Sequence, residues 1–323
     1  MSKSLRLCIA LVGLIVFAAL LSIACGKVWL PWEAFTSSDP RWIIIAELRL
    51  PRTLLALVNG AALGLAGAVM QGYLRNPLAD PGLFGISSGA ALGAVTSMYF
   101  GFAVSAYLLP TFALIGAAGS MFLLALLAGR SGSLILFVLA GMILASITGS
   151  LTTLAISLAP NPFVSSEIVT WLLGALTDRS WDDARITVPV AAVGMTTLAF
   201  TGRSLDALTL GESAARSMGI DPRRLQWQVV LGVGLCVGAS VAAAGIIGFV
   251  GLMVPHIVRP LVGARPSAVL LPSALAGALL LSLADSLVRI APTVSELRLG
   301  IAMSMLGGPF FLALLLRLRR TLA

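Results

Sequence analysis

Long apolar stretches separated by short polar breaks recur along all 323 residues of the chain. A helix that crosses a membrane needs about 20 apolar residues, each adding about 1.5 Å. Stretches of this kind cover 7–24, 53–73, 88–106, 109–128, 134–158, 184–201, 228–250, 268–288 and 299–316, and a shorter one covers 255–262. The pattern predicts an all-α polytopic membrane protein of about ten transmembrane helices, a single domain over residues 1–323. A buried soluble helix explains any one run, but not their recurrence. Lys3 and Arg6 precede the first run and Cys25 follows it, which loosely resembles a lipoprotein signal. The length of the run and the spans that follow favour an uncleaved first span.

Composition strengthens this picture. Hydrophobic residues make up 59% and charged residues 11%, against roughly a quarter charged in soluble domains. Too little polar surface remains to cover a water-exposed globule. The formal charge of +8 suggests nucleic acid at first sight, but the basic residues sit in short loops rather than in a patch, so no nucleic-acid partner is expected. With the N-terminus inside and ten alternating spans, 13 of the 21 basic residues and only four acidic ones fall on the inner side. This is the positive-inside bias, and it places both termini in the cytoplasm of an inner-membrane protein.

The chemistry is sparse. Cys8, Cys25 and Cys236 form no CxxC pair, and His256, the one histidine, cannot build a histidine metal cluster and is expected as a cap or loop residue. No GxxxxGK[ST], GxSxG, HExxH or dinucleotide fingerprint occurs. Neither cofactor nor metal is expected in this chain. Asp285, near the end of a span, has Arg289 at i+4. A proton-coupled carrier would bury ionisable groups at mid-membrane, so the chain reads as a passive pathway driven by a partner.

Local patterns add detail. Gly60, Gly64 and Gly67 share one span with several alanines, which lets backbones approach closely, either within the chain or against another subunit. The outer segment 161–185 predicts a short amphipathic helix at about 163–173, with Trp171 and Trp181 as interfacial anchors. The inner segment 202–226 predicts a short helix in which Glu212 pairs with Arg216 and Gly219 ends the helix, offering a docking surface.

Several motifs then fall in a recognisable order: Arg49-Leu50-Pro51-Arg52, Gly67-Ala68-Val69-Met70-Gln71, Arg75-Asn76-Pro77-Leu78-Ala79-Asp80-Pro81-Gly82, Gly85-Ile86-Ser87-Ser88-Gly89, Gly248-Phe249-Val250-Gly251-Leu252, Pro255-His256-Ile257-Val258-Arg259 and Gly308-Pro309-Phe310-Phe311. From about Arg41 to Leu316 the chain resembles the FecCD/BtuC family, permease subunits of type II ABC importers for iron-siderophores, haem and cobalamin. The resemblance implies a BtuC-like permease fold without enzymatic activity. It implies movement of an iron chelate, haem or a ferric siderophore, from periplasm to cytoplasm, with cobalamin as the alternative. The Ala79-Asp80-Pro81-Gly82 and Ser87-Ser88-Gly89 variants lean towards the iron chelates.

The implied partners are a second permease subunit in a homodimer, two ABC ATPase subunits that bind the ATP and Mg, a periplasmic substrate-binding protein, and the lipid bilayer. A coupling-helix loop at about 205–225 is expected to meet the ATPase through Leu210, Gly211, Glu212, Ala215, Arg216, Met218 and Gly219. Arg49, Arg52 and Arg289, expected as exposed outer cations, would dock the binding protein. The 130–135 turn, with Gly132, Ser133 and Leu134, would form a cytoplasmic gate. Arg298 and Ile246 stand where the family commonly has proline, which is expected to alter the helix breaks near them. A membrane-embedded enzyme would need a constellation of reactive side chains inside the spans, and a scaffold or receptor would need no coupling loop.

Overall fold

The computed structural model describes residues 3–24, 26, 39–105, 107–128, 134–291 and 296–322. Among these, regular structure is entirely helical. The order is α1 (Lys3–Ala24), α2 (Leu50–Tyr73), α3 (Ile86–Tyr99), α4 (Leu108–Ala128), α5 (Leu134–Ser157), α6 (Pro162–Leu172), α7 (Trp181–Ala199), α8 (Gly202–Leu208), α9 (Glu212–Ser217), α10 (Pro222–Ala244), α11 (Val250–Val262), α12 (Pro266–Ile290) and α13 (Leu299–Leu322). Seven of them, namely α1, α2, α4, α5, α10, α12 and α13, are long and apolar enough to cross a membrane, and α7 and α8 form a further pair bent by 43°. The other two expected spans fall on shorter helices, α3 with 14 residues and α11 with 13.

Burial sorts the helices into an inner and an outer set. Helices α2 and α10 are wrapped by the rest, whereas α1, α4, α5 and α13 turn much of their surface outward, as Phe17, Ile115, Ile135 and Leu312 illustrate. Small residues explain why α2 sits centrally. A Cβ on Gly60 would overlap the carbonyl of Gly277, one on Gly64 the carbonyl of Ser273, and one on Gly67 the backbone of Gly251. The glycine stripe therefore packs within the chain, with α12 along one stretch and α11 at its end. Backbones this close gain dispersion contacts that lipid cannot replace. The seam between α7 and α10 is built alike, with Gly194 against Cys236 and Gly232 against Leu198.

The breaks have local causes. Helix α10 ends at Gly245 (φ 69°) and α11 begins after Phe249 (φ 69°), so the break forms with Ile246 in place of proline. Helix α13 begins directly after Arg298, so the second missing proline is also dispensable for the helix start. Between α2 and α3, the Asn76 side chain accepts from the Leu78 N–H and Asp80 accepts from the Gly82 N–H, both at 2.9 Å. These Asx turns give the Arg75–Gly82 motif its shape.

Two expectations need correction here. Helix α6 forms where predicted, capped by Asn161, but Trp171 and Trp181 are half-buried against the core rather than interfacial anchors. The Trp181 indole N–H donates to the Ala46 carbonyl at 2.8 Å. His256 is neither cap nor loop. It lies inside α11 and meets the Phe310 ring edge-on at 5.8 Å between centroids.

Candidate functional site

The structure gathers its polar side chains at the two ends of the bundle. At the end expected to face the cytoplasm, α8 packs on the long helices, with Leu205 against Gly72 of α2 and Gly202 against Ser267 of α12, and α9 follows it. Helix α9 is stopped by Gly219 (φ 81°), a conformation that penalises any residue with a Cβ. The Gly219 N–H donates to Arg216 O at 2.9 Å and the Ile220 N–H to Ala215 O at 3.0 Å, the paired bonds of a Schellman stop. Ala215 is the buried foot of this helix, while Leu210 and Met218 are 67% and 61% exposed. Arg216 is exposed and Glu212 half-buried. The expected Glu212–Arg216 ion pair is not formed. Arg216, without a side-chain partner among the described residues, thus stands with the exposed Leu210 and Met218 around this short helix.

This surface is tied to α12 by a residue the sequence reading overlooked. Asp206, on α8, accepts from the Ser267 N–H at 2.9 Å, the Ser267 hydroxyl at 2.6 Å and the Arg265 guanidinium at 2.7 Å. It thereby caps α12 from outside that helix. Burial raises the Asp206 carboxyl, but the Ser267 and Arg265 bonds outweigh it and hold the group below its ordinary value. Nearby, the Gln71 amide donates to Leu252 O at 3.1 Å and accepts from Arg259 at 2.9 Å, joining α2 to α11. Of the gate residues, Gly132 and Ser133 lie outside the described residues, and Leu134 opens α5.

At the opposite end the arginines behave differently from expectation. Arg49, Arg52 and Arg289 are buried within the chain, not exposed cations. Arg52 holds Asp285 through Nε and Nη2 (2.9–3.1 Å) and Glu296 through Nη1 (2.9 Å). Arg289 meets the same Asp285 at 3.0 Å, as its i+4 spacing predicts, and donates to Ser22 O at 2.8 Å and to the Ser22 hydroxyl. Arg49 donates to the carbonyls of Ile23 and Ala24 at 2.7 and 2.8 Å. Thr177 adds a bond to Glu296 at 3.0 Å. Burial pushes the Glu296 carboxyl up, and the facing Arg52 charge with the Arg52 and Thr177 hydrogen bonds brings it below the usual value.

The physical reason for the burial is valence. A guanidinium carries five donors and is costly to desolvate, so it is buried only where carboxylates and carbonyls converge. Asp285, fully buried on α12, supplies that convergence for both Arg52 and Arg289. The sequence signal for the Arg289 contact was the i+4 spacing. Nothing in sequence pointed to the 233-residue separation between Arg52 and Asp285.

Two cavities lie beside this outer cluster. One of about 320 Å³ is lined by Glu167, Trp171, Arg179 and Arg298 among others. The second, of about 480 Å³, is mainly apolar and lies against Leu173, Ile246, Gly248, Gly300 and Met305. Among the described residues no group of three or more His, Cys, Asp or Glu side chains is placed to hold a metal ion.

Comparison with known proteins agrees with this geometry. The sequence model of the FecCD transport family matches residues 14–317. The vitamin B12 import system permease protein BtuC of Vibrio cholerae is 37% identical, with 95% of this chain and 92% of that protein covered. The Fe(3+) dicitrate transport system permease protein FecD of Escherichia coli is 36% identical, with 93% of this chain and 95% of that protein covered. A solved structure described as a metal-chelate type ABC transporter in an inward-facing conformation superposes with a TM-score of 0.89 at 32% identity, covering 97% of this chain and 99% of that one.

Proposed function

From the premise that the chain belongs to the FecCD transport family and is a multi-pass inner-membrane permease of an ABC importer, we propose that it carries an iron chelate, haem or a ferric siderophore, into the cytoplasm. The observation that carries the importer mechanism is the α8–α9 surface. It is capped, exposed at Leu210 and Met218, and bonded through Asp206 to the helix that packs along α2. A push on α9 from an ATPase would thus reach the bundle through a hydrogen-bonded joint rather than a slack loop. Two ATPase subunits on two copies of this chain would use that joint to alternate the packing of the halves as rigid bodies.

The termini and the α8–α9 surface are cytoplasmic in this reading, and α6 is periplasmic. The binding protein docks on the outer rim around α6. There Arg49, Arg52 and Arg289 act beneath the surface by holding α1, α2 and α12 together, not by steering the partner directly. The 130–135 turn, with Leu134 at its end, closes the path on the inner side.

The preference for an iron chelate rests on the Ala79-Asp80-Pro81-Gly82 and Ser87-Ser88-Gly89 variants and on similarity to an Fe(3+) dicitrate permease. Cobalamin is the second reading, supported by a comparable similarity to a vitamin B12 permease. A large chelate calls for a roomy, weakly binding path, and the apolar cavity at Ile246 and Gly300 is lined accordingly. Uptake of labelled haem, ferric siderophores and cobalamin into vesicles carrying the complete importer decides between them. Transport of cobalamin alone rejects the iron reading, and ATP-driven transport of none rejects both.

A further inference from the structure

Beside the α8–α9 surface a cavity of about 730 Å³ opens between the end of α7, the start of α8 and the start of α10. Arg203 and Arg224 face it, with Thr197, Phe200 and Gln228 on its walls and the Gly219–Ile220 end of α9 on its rim. Both arginines are exposed, and among the described residues neither has an ion-pair or hydrogen-bond partner for its side chain. Asp221, the acidic group on the lining, is occupied in capping α10, accepting the Arg223 N–H at 2.9 Å. The cavity is thus polar and offers two free guanidinium groups.

Helical register shows where the cavity leads. Arg224, Gln228 and Leu231 lie on one stripe of α10, and Phe200, Thr197 and Val193 on one stripe of α7. Two turns from Arg224 along α10 Leu231 is 46% exposed, two turns from Phe200 along α7 Val193 is 58% exposed, and Phe200 at the cavity is 75% exposed. Trp227, 51% exposed, stands beside them on α10 and is of a residue type that anchors at membrane interfaces. The site therefore passes from cationic to apolar along the α7–α10 flank. A protein partner approaching from water would meet the arginines and leave that flank bare. Free phosphate would satisfy only the cations.

We propose that this cavity binds the headgroup of an anionic phospholipid from the inner leaflet, its acyl chain lying along the α7–α10 seam. The assignment rests on the reading above only in placing α8–α9 on the cytoplasmic side. Since Gly219 and Ile220 form the rim, the bound lipid bears on the joint through which α9 meets α10 and gives that joint a fixed support.

The test is native mass spectrometry of the purified full chain with phosphatidylglycerol, with phosphatidylcholine of the same acyl chains, and with inorganic phosphate. Two interfacial arginines are expected to favour phosphatidylglycerol by roughly thirtyfold. Arg203→Gln with Arg224→Gln should erase that preference. Arg203→Lys with Arg224→Lys should keep most of it, which separates loss of charge from loss of fold. Unchanged phosphatidylglycerol binding in the Gln pair overturns the proposal, as does full displacement of the lipid by inorganic phosphate. If the Gln pair keeps its lipid but no longer binds the ATPase, the arginines belong to a protein interface and the lipid site is rejected. Binding is read without transport, so failure of uptake with lipid selectivity retained counts against the importer reading alone.

Discussion

The two ends of this bundle use charge in opposite ways. At the outer end Arg52, Arg289, Asp285 and Glu296 are drawn into one cluster that ties α1, α2 and α12 with the start of α13. At the opposite end Arg203, Arg216 and Arg224 have no side-chain partner among the described residues, and the joints are Asp206 with Arg265 and Ser267 and Gln71 with Arg259. An end whose charges satisfy one another internally is held together; an end whose charges are left open is built to be held by something else. The difference separates an end held together from within from an end that carries open charge, and the proposed motor would act on the second.

The comparison is broken most directly at Asp285. Asp285→Ala leaves two guanidinium groups buried without their shared carboxylate, and is expected to cost about 3–5 kcal/mol. Glu212→Ala, at the open end, should stay within about 0.5 kcal/mol. Thermal unfolding of both variants in detergent checks the pair, and equal losses would erase the contrast. Gly219→Val comes next. The left-handed backbone there makes a Cβ cost about 1–2 kcal/mol, confined to the end of α9. Uptake should fall to background while membrane insertion remains normal, and full transport would remove α9 as the coupling element.

Asp206→Ala is a smaller change, about 1 kcal/mol from the lost cap of α12. Its pH dependence has a definite sign. A carboxyl held below its ordinary value in the folded chain contributes fully above the unfolded carboxylate value. That contribution is lost as pH falls through the lowered folded value. The stability gap between wild type and Asp206→Ala should therefore be flat at neutral pH and close only below about pH 4. A gap that closes between pH 6 and 8 would point to another group. The smallest perturbation concerns sidedness. Ser166→Cys on α6 and Ser213→Cys on α9 are both exposed and should leave stability unchanged. An impermeant thiol reagent added outside should label only the first, and the reverse pattern inverts the assignment of the two ends.

How much was readable in sequence follows from the range of each interaction. Span positions are local sums of hydropathy, so all ten expected segments fall on helices, with edges displaced where a Gly or a positive φ sets the break, as at Gly245 and Phe249. The Gly219 stop is equally local and was legible. The Asp285–Arg289 pair was legible from its i+4 spacing. The Arg52–Asp285 and Asp206–Ser267 contacts join residues 233 and 61 positions apart, and only packing brings them together. That is why Arg49, Arg52 and Arg289 read as exposed cations in sequence and prove buried in the fold. The tryptophans of the α6 region misled for a related reason, because an amphipathic pattern does not say whether the apolar face meets lipid or protein.

The backbone contacts of α2 have a consequence for how this chain can change over generations. At Gly60 and Gly64 a Cβ would strike carbonyl oxygens of α12, not side chains. Trimming a neighbouring side chain therefore cannot compensate for a substitution there. The obstacle would remain whatever residue occupied 273 or 277. A selection for revertants of Gly64→Ala should return the original codon or distant changes that let α12 shift as a body, and none at the facing positions. Mutational tolerance along α2 is thereby uncoupled from the identity of its neighbours. The limit is mutual at one facing position, because a Cβ on Gly277 of α12 would overlap the Gly60 carbonyl.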